Sequence, residues 1–421
     1  MNTHEFRGGP HNTGENDLPA AGNPEALRAA EHHPLLLPAL RGALMGCSYI
    51  FLASTYFSIA VNSLSMGLMA VLWLAIMVVE RRWGVVRTSL DPFFLGFLVV
   101  QAISTLFSSD PLQSLILSKR VLLVGLVYFF ASTVVREQQA KRLVAVLLGT
   151  AAVVATIGVV KLIVGNPEEN IRLGIFQFYM TTSELMTIAT VLLFPFAIHP
   201  RTPRNIRWAA LVALVPVSIA LWATVTRGAY LAAACGLAFA AVVRNKMILI
   251  PLILILIGVV VFAPPYIQNR VSSIVDIHHP ENVSRLLMWK AGIEIFKDHP
   301  IVGVGDIDYG ILLDRYADPA LPRVWGHLHN TPLQILTNYG VLGFLIIMGM
   351  FAGMFAAEGK IYMQTREQWF KGSFALGAMA VLVAFVVTGL TEWSFGDQEV
   401  ITLVWTTLGL VLSLKNAAAT S

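Results

Sequence analysis

From Leu40 to near the end of the chain, apolar runs of roughly 16 to 25 residues alternate with short polar punctuation, and a helix of that length approaches the ~30 Å thickness of a bilayer's hydrocarbon. The runs read as spans over 40–60, 64–80, 91–107, 119–135, 143–164, 179–198, 207–225, 228–243, 247–263, 331–356, 373–391 and 399–415. One connection, 264–330, is long. Within it "SRLLMWKAGIEIFKDHP" places Leu286, Trp289, Ile293 and Phe296 at helical spacing and stops at Pro300, which predicts an amphipathic helix lying on the membrane, with Ser284 as N-cap. The pattern predicts an all-α polytopic membrane protein of about 12 transmembrane helices with one long loop containing amphipathic helices. Its expected divisions are a disordered tail over 1–39, spans one to nine over 40–263, the loop over 264–330, and the last three spans with the C-terminus over 331–421.

Composition agrees, with 56% hydrophobic and 13% charged residues against roughly 25% charged in soluble chains. The two cysteines, Cys47 and Cys235, lie inside apolar runs, which argues against a disulfide framework or a thiolate metal site. The first residues lack the apolar core of a signal peptide. Arginine and lysine gather in alternate connections: Arg81, Arg82 and Arg87; Arg136, Lys141 and Arg142; Arg201, Arg204 and Arg207. By the positive-inside rule these loops are cytoplasmic, so both termini are cytoplasmic and the long loop faces outward. The basic surplus is thereby assigned to orientation rather than to nucleic acid. Neither a GxxxxGK[ST] loop nor a G-x-G-x-x-G after a strand is present, and "GVGDIDYG" reads as a turn after a helix.

Outward-facing polar residues carry the candidate chemistry. Arg227, in "ATVTRGAYLAA", falls between two spans with almost no loop, where a buried cation is unfavourable and so marks a site, although snorkelling to lipid phosphate is the plainer reading. Arg285 would stand in the first turn of the amphipathic helix, against its dipole, and Arg172 lies in an ordinary outer loop; headgroup anchoring serves for both. His329, in "GHLHNTP", precedes a helix capped by Asn330 or Thr331, whose positive end would keep the imidazole neutral and able to act as a general base. A satisfied loop histidine fits equally well, and His327 is its less favoured neighbour. Arginines bind phosphate bidentately and keep their charge, so they would suit a diphosphate without a metal. Asp276, His278, His279, Asp306, Asp308, Asp314 and Asp318 follow no metal-ligand spacing, and neither metal nor cofactor is expected.

The run "SRLLMWKAGIEIFKDHPIVGVGDIDY", followed by "HLHNTPLQILTNYGVLGFLIIMGMF", resembles the signature region of the bacterial O-antigen ligase and polymerase superfamily, closely over about 60 residues and elsewhere in topology. The resemblance implies a GT-C-like integral glycosyltransferase of the bacterial inner membrane. Its active site would face the periplasm and move a glycan from undecaprenyl diphosphate to an acceptor, lipid A-core in a ligase. By motif position His329 matches the family's essential histidine, Arg285 the arginine opening the periplasmic helix, and Arg227 the arginine of a "s.sRga" segment; Arg172 matches less securely. The span count and single moderate loop resemble the ligases most. A polymerase, a protein oligosaccharyltransferase, or a lipid or sugar transporter are the alternatives.

Overall fold

A computed structural model describes residues 36–165, 172–319, 321 and 326–416. The expected tail lies outside the described residues over 1–35. The described chain is helical, and each of the twelve expected spans falls on helix. The helices are α1 (Leu36–Ser54), α2 (Ile59–Val79), α3 (Asp91–Leu106), α4 (Pro111–Ser118), α5 (Gly125–Thr133), α6 (Glu137–Val164), α7 (Tyr179–Ile198), α8 (Arg204–Ala223), α9 (Arg227–Asn245) and α10 (Leu249–Phe262). They continue with α11 (Pro265–Ser272), α12 (Pro280–Asp298), α13 (Tyr309–Tyr316), α14 (Thr331–Thr365), α15 (Trp369–Gly389) and α16 (Gln398–Asn416). Among the described residues nine segments are both long and apolar enough to cross a membrane. The difference from twelve arises because α9 and α10 run together as Arg227–Phe262, α3 is a shorter apolar helix, and α16 does not qualify. The chain is a multi-pass, all-α membrane protein.

Burial grades across the bundle. Helices α7 and α15 are almost wholly enclosed, with Phe374, Ala375, Ala189 and Val191 fully buried, whereas α10 exposes Ile253, Leu254, Ile255 and Val261. Exposed apolar side chains suit a helix whose neighbour is hydrocarbon. Basic connections meet at one end of the bundle: Arg244 Nη1 donates to the Arg366 carbonyl at 3.0 Å, Arg201 pairs with Glu367 at 3.1 Å, and Lys371 pairs with Glu137 at 3.5 Å. The segments bearing Arg172, Arg227, Arg285 and His329 meet one another elsewhere, through the contacts described below.

The segment after α12 is locked into α14. Gly340 breaks that helix with φ +65°, and a Cβ there would lie 2.1 Å from the Ile301 carbonyl oxygen. The break frees helical carbonyls that the incoming strap takes up: Val304 N–H donates to Thr337 O at 2.9 Å and Gly305 N–H to Asn338 O at 3.0 Å. In return Val341 N–H donates to Pro300 O at 2.9 Å. Buried Tyr309 adds its hydroxyl to Asn338 Oδ1 at 2.6 Å. The "GVGDIDYG" turn is thus a clasp between the loop domain and a membrane helix.

Candidate functional site

Helix α12 begins four residues before the expected cap. His279 is its N-cap, with a ring nitrogen accepting from Glu281 N–H at 3.3 Å, and Pro280 opens the helix, a stronger start signal than Ser284. Glu281 therefore occupies the first turn, where the dipole favours an anion, and Arg285 stands in the second, free of the expected misfit. The packed face of α12 is Met288, Ala291, Gly292 and Ile295, while Leu286 and Ile293 from the expected stripe are about half exposed.

Two clusters form along this helix. In the first, the Glu281 carboxylate accepts from three arginines: Arg270 at 2.6 Å, Arg172 at 2.8 Å and Arg227 at 3.1 Å. Each guanidinium has a second support. Arg227 donates to the Ser273 carbonyl at 2.7 Å and to Asn282 Oδ1 at 2.8 Å, Arg270 to the Val225 carbonyl at 3.1 Å, and Arg172 to the Tyr179 hydroxyl at 2.8 Å. Val225, a β-branched residue at φ +52°, turns the chain sharply into α9 and so presents both its carbonyl and Arg227 to the cluster. Gly228 lets this turn approach the 390–392 loop, since a Cβ there would sit 2.4 Å from Thr391 Oγ1. Partial burial works to raise the Glu281 pKa, but hydrogen bonds and charge from Arg270 and Arg172 outweigh it and bring it down to about 2.

One helical turn along α12 lies the second cluster, since residues i and i+4 share a face. Arg285 donates to Glu392 Oε1 at 2.7 Å, and His329 Nδ1 meets Glu392 Oε2 at 2.8 Å. Both His329 and Glu392 are buried. Burial of Glu392 acts to raise its pKa, yet the hydrogen bond and charge of His329, with Arg285, hold it below the usual carboxylate range. His329 adopts φ +48°, a left-handed conformation that a non-glycine residue holds only when its surroundings dictate it. Here they do: Leu328 N–H donates to Gln334 Oε1 at 2.7 Å, Trp289 Nε1–H to Leu328 O at 3.0 Å, and Asn330 caps α14 by accepting from Leu333 N–H at 2.9 Å. The same cap fixes the partner loop, with Asn330 Nδ2–H donating to Leu390 O at 3.1 Å and Thr331 Oγ1–H to Glu392 O at 2.8 Å.

With a carboxylate accepting from Nδ1–H, the tautomer places the ring's accepting lone pair on Nε2. His329 thus immediately precedes the N-cap of α14 and shares its Nδ1 with the Glu392 carboxylate. His327 lies against His329, ring centroids 4.1 Å apart, and burial, with the His329 charge second, pushes its pKa down to about 4. The four residues singled out in the sequence thus come together as two adjoining clusters, Arg172 with Arg227 and Arg285 with His329. Arg270, Glu281 and Glu392 complete them and were not singled out. For Glu392 the readable signal is an acidic residue next to an apolar span in a chain already carrying interfacial arginines, where a counter-ion is required; for Glu281 it is an acidic residue directly after Pro280, a helix-start pattern. Among the described residues no three His, Cys, Asp or Glu side chains group as a metal site, and the Asp314 side chain lies outside them.

No curated protein matches the chain. Residues 212–348 match the family model described as O-antigen ligase, a stretch that holds Arg227, Arg270, Glu281, Arg285 and His329 but neither Arg172 nor Glu392. The match covers about a third of the chain and supports membership of the O-antigen ligase superfamily.

Proposed function

We propose that the protein is an O-antigen ligase of the bacterial inner membrane, transferring a glycan from undecaprenyl diphosphate to lipid A-core with inversion at the anomeric carbon. Its site would lie on the periplasmic face. The observation that carries this reading is Glu392, which joins His329 and Arg285 through its two oxygens one helical turn from the three-arginine cluster. His329 Nε2 takes the proton of the acceptor hydroxyl while Glu392 holds Nδ1–H and stabilises the imidazolium that results. The acceptor oxygen attacks the anomeric carbon, the bond from that carbon to the diphosphate oxygen breaks, and the lipid diphosphate departs with the electron pair.

Arg172, Arg227, Arg270 and Arg285 hold the leaving group. In the resting protein four guanidiniums outnumber the carboxylates of Glu281 and Glu392, and this net positive charge favours the doubly negative diphosphate diester. Fixed guanidiniums in a poorly hydrated site stabilise developing charge and supply what a divalent ion supplies elsewhere, so the reaction proceeds without metal or other cofactor.

The decisive experiment reconstitutes the purified protein with undecaprenyl-diphosphate glycan and either lipid A-core or a second donor molecule. Glycosylated lipid A-core is the expected product. Chain extension on the donor alone would make the protein a polymerase, and no transfer to either would favour a transporter or protein-directed reading.

A further inference from the structure

The first cluster is already occupied by an anion, the Glu281 carboxylate. Both of its oxygens are engaged, and it reaches three arginines from three separate elements: the 172 loop, the start of α9 and the end of α11. This is the arrangement expected around a phosphate group. The exposures are graded, since the Glu281 side chain is 39% exposed whereas Arg227 is 6%, Arg270 12% and Arg172 23% exposed. An anion arriving from solvent meets Glu281 first, with the guanidiniums behind it.

Each arginine also has a support other than Glu281. Arg227 is held by Ser273 and Asn282, Arg270 by the Val225 carbonyl, and Arg172 by the Tyr179 hydroxyl and, over its ring, at 4.8 Å from the centroid. Removing the carboxylate leaves three oriented cations facing a vacated anion position, the preorganisation that makes binding tight. Glu281 itself is the second residue of α12, at a helix end where its side chain can turn to solvent while remaining near the favourable pole of the dipole.

We propose that Glu281 is an exchangeable stand-in for a donor phosphate: it fills the Arg172–Arg227–Arg270 site in the resting protein, leaves it when a prenyl diphosphate binds, and returns as the spent carrier departs. Arg270 then ranks with Arg227 as a ligand of the diphosphate. This proposal rests on the donor-site reading above. The doubly charged diphosphate outcompetes a single carboxylate on entry, and the tethered carboxylate, always at hand, limits how tightly the product is kept.

The test measures binding of farnesyl diphosphate, with inorganic pyrophosphate in a parallel arm, to the purified full-length protein at fixed ionic strength. E281Q, which keeps the shape but not the charge, is expected to bind farnesyl diphosphate about tenfold more tightly than wild type, because a competing internal anion has been removed. E281D, with a shorter reach, should fall between the two and serves if E281Q does not fold. A preference for farnesyl diphosphate over pyrophosphate identifies a lipid-linked ligand, and equal binding identifies free diphosphate as sufficient; the proposal requires tightening in at least one arm. Unchanged or weaker binding by both variants overturns it, since Glu281 would then be an organiser of the arginines. If Arg227→Ala weakens binding in the wild-type and E281Q backgrounds alike while E281Q shows no gain, the stand-in falls and the donor site survives. If Arg227→Ala and Arg270→Ala affect neither background, both readings fall together.

Discussion

Glu392 and His329 are joined by a 2.8 Å contact between a carboxylate oxygen and Nδ1, and the two residues are held to each other a second time through backbone: Thr331 and Asn330, which follow the histidine, donate to the carbonyls of Glu392 and Leu390. The imidazole is therefore oriented from its own chain and from the loop facing it. Glu392→Gln is expected to lower glycan transfer by about 10² to 10⁴, the usual range for disturbing an oriented general base, with donor affinity changed far less. Loss of Arg285 pairing makes some loss of binding unavoidable, so the two quantities are measured separately by initial rates and by equilibrium binding. A variant with wild-type turnover would remove Glu392 from the mechanism.

His329→Ala should abolish transfer while donor still binds, and His327→Ala should be much milder, because His327 touches the reacting ring without sharing its carboxylate. Arg227→Ala and Arg270→Ala should instead weaken donor binding and rate together. Equal losses in transfer for the two histidine variants would show that the paired rings act as one unit.

The low pKa of His327, about 4 in the folded protein against roughly 6.5 for a free imidazole, makes stability pH-dependent. Between those values the unfolded chain binds a proton that the folded one refuses, so stability is fully present above about 6.5 and declines as pH falls toward 4. His327→Gln should flatten this part of a thermal-stability profile. Glu281 acts in the same direction lower down, its contribution being present above the ordinary glutamate range and lost as pH falls toward about 2. A wild-type profile flat from pH 7 to 4 would contradict the burial of His327.

Turnover in excess chelator should match turnover in magnesium if, as proposed, the arginines carry the charge of the leaving group. Loss of activity on chelation, restored by magnesium or manganese, would give that task to a metal.

Gly340→Ala should lower thermal stability by at least about 2 kcal/mol, combining backbone strain at positive φ with a direct clash against Ile301. Fluorescence-detected size exclusion after heating reads the shift. A neutral substitution would mean that the clasp is loose enough to give way.

Much of the fold was legible because apolar run length needs no partner to be read: all twelve expected spans are helical, and Asn330 caps α14 where the sequence suggests. What depended on partners was not. Glu392 lies 63 residues from His329 along the chain, and no local spacing connects "TEWSFGD" to "GHLHNTP". Glu281 is hidden because Ser284 offers an N-cap three residues later, which leaves the glutamate outside the expected helix, whereas the helix starts at Pro280. Arg270 sits in an ordinary polar stretch of α11, and only the turn at Val225 brings it to Arg227. The break at Gly340 was hidden because a helix interrupted by one glycine keeps its apolar periodicity.

That break also sets a length. Arg285 is on α12, His329 is just ahead of α14, and the short strap from Pro300 to Gly305 is bonded into the interrupted helix at both its ends, through Pro300 and through Val304 and Gly305. The strap behaves as a spacing gauge between guanidinium and imidazole, one that cannot stretch without losing a hydrogen bond. One added residue supplies up to about 3.3–3.6 Å of chain, while a misplacement of about 1 Å at a reacting group can cost 10²-fold in rate. An alanine inserted between Val302 and Gly303 should therefore yield a protein that still enters the membrane and still binds a diphosphate, yet no longer transfers sugar.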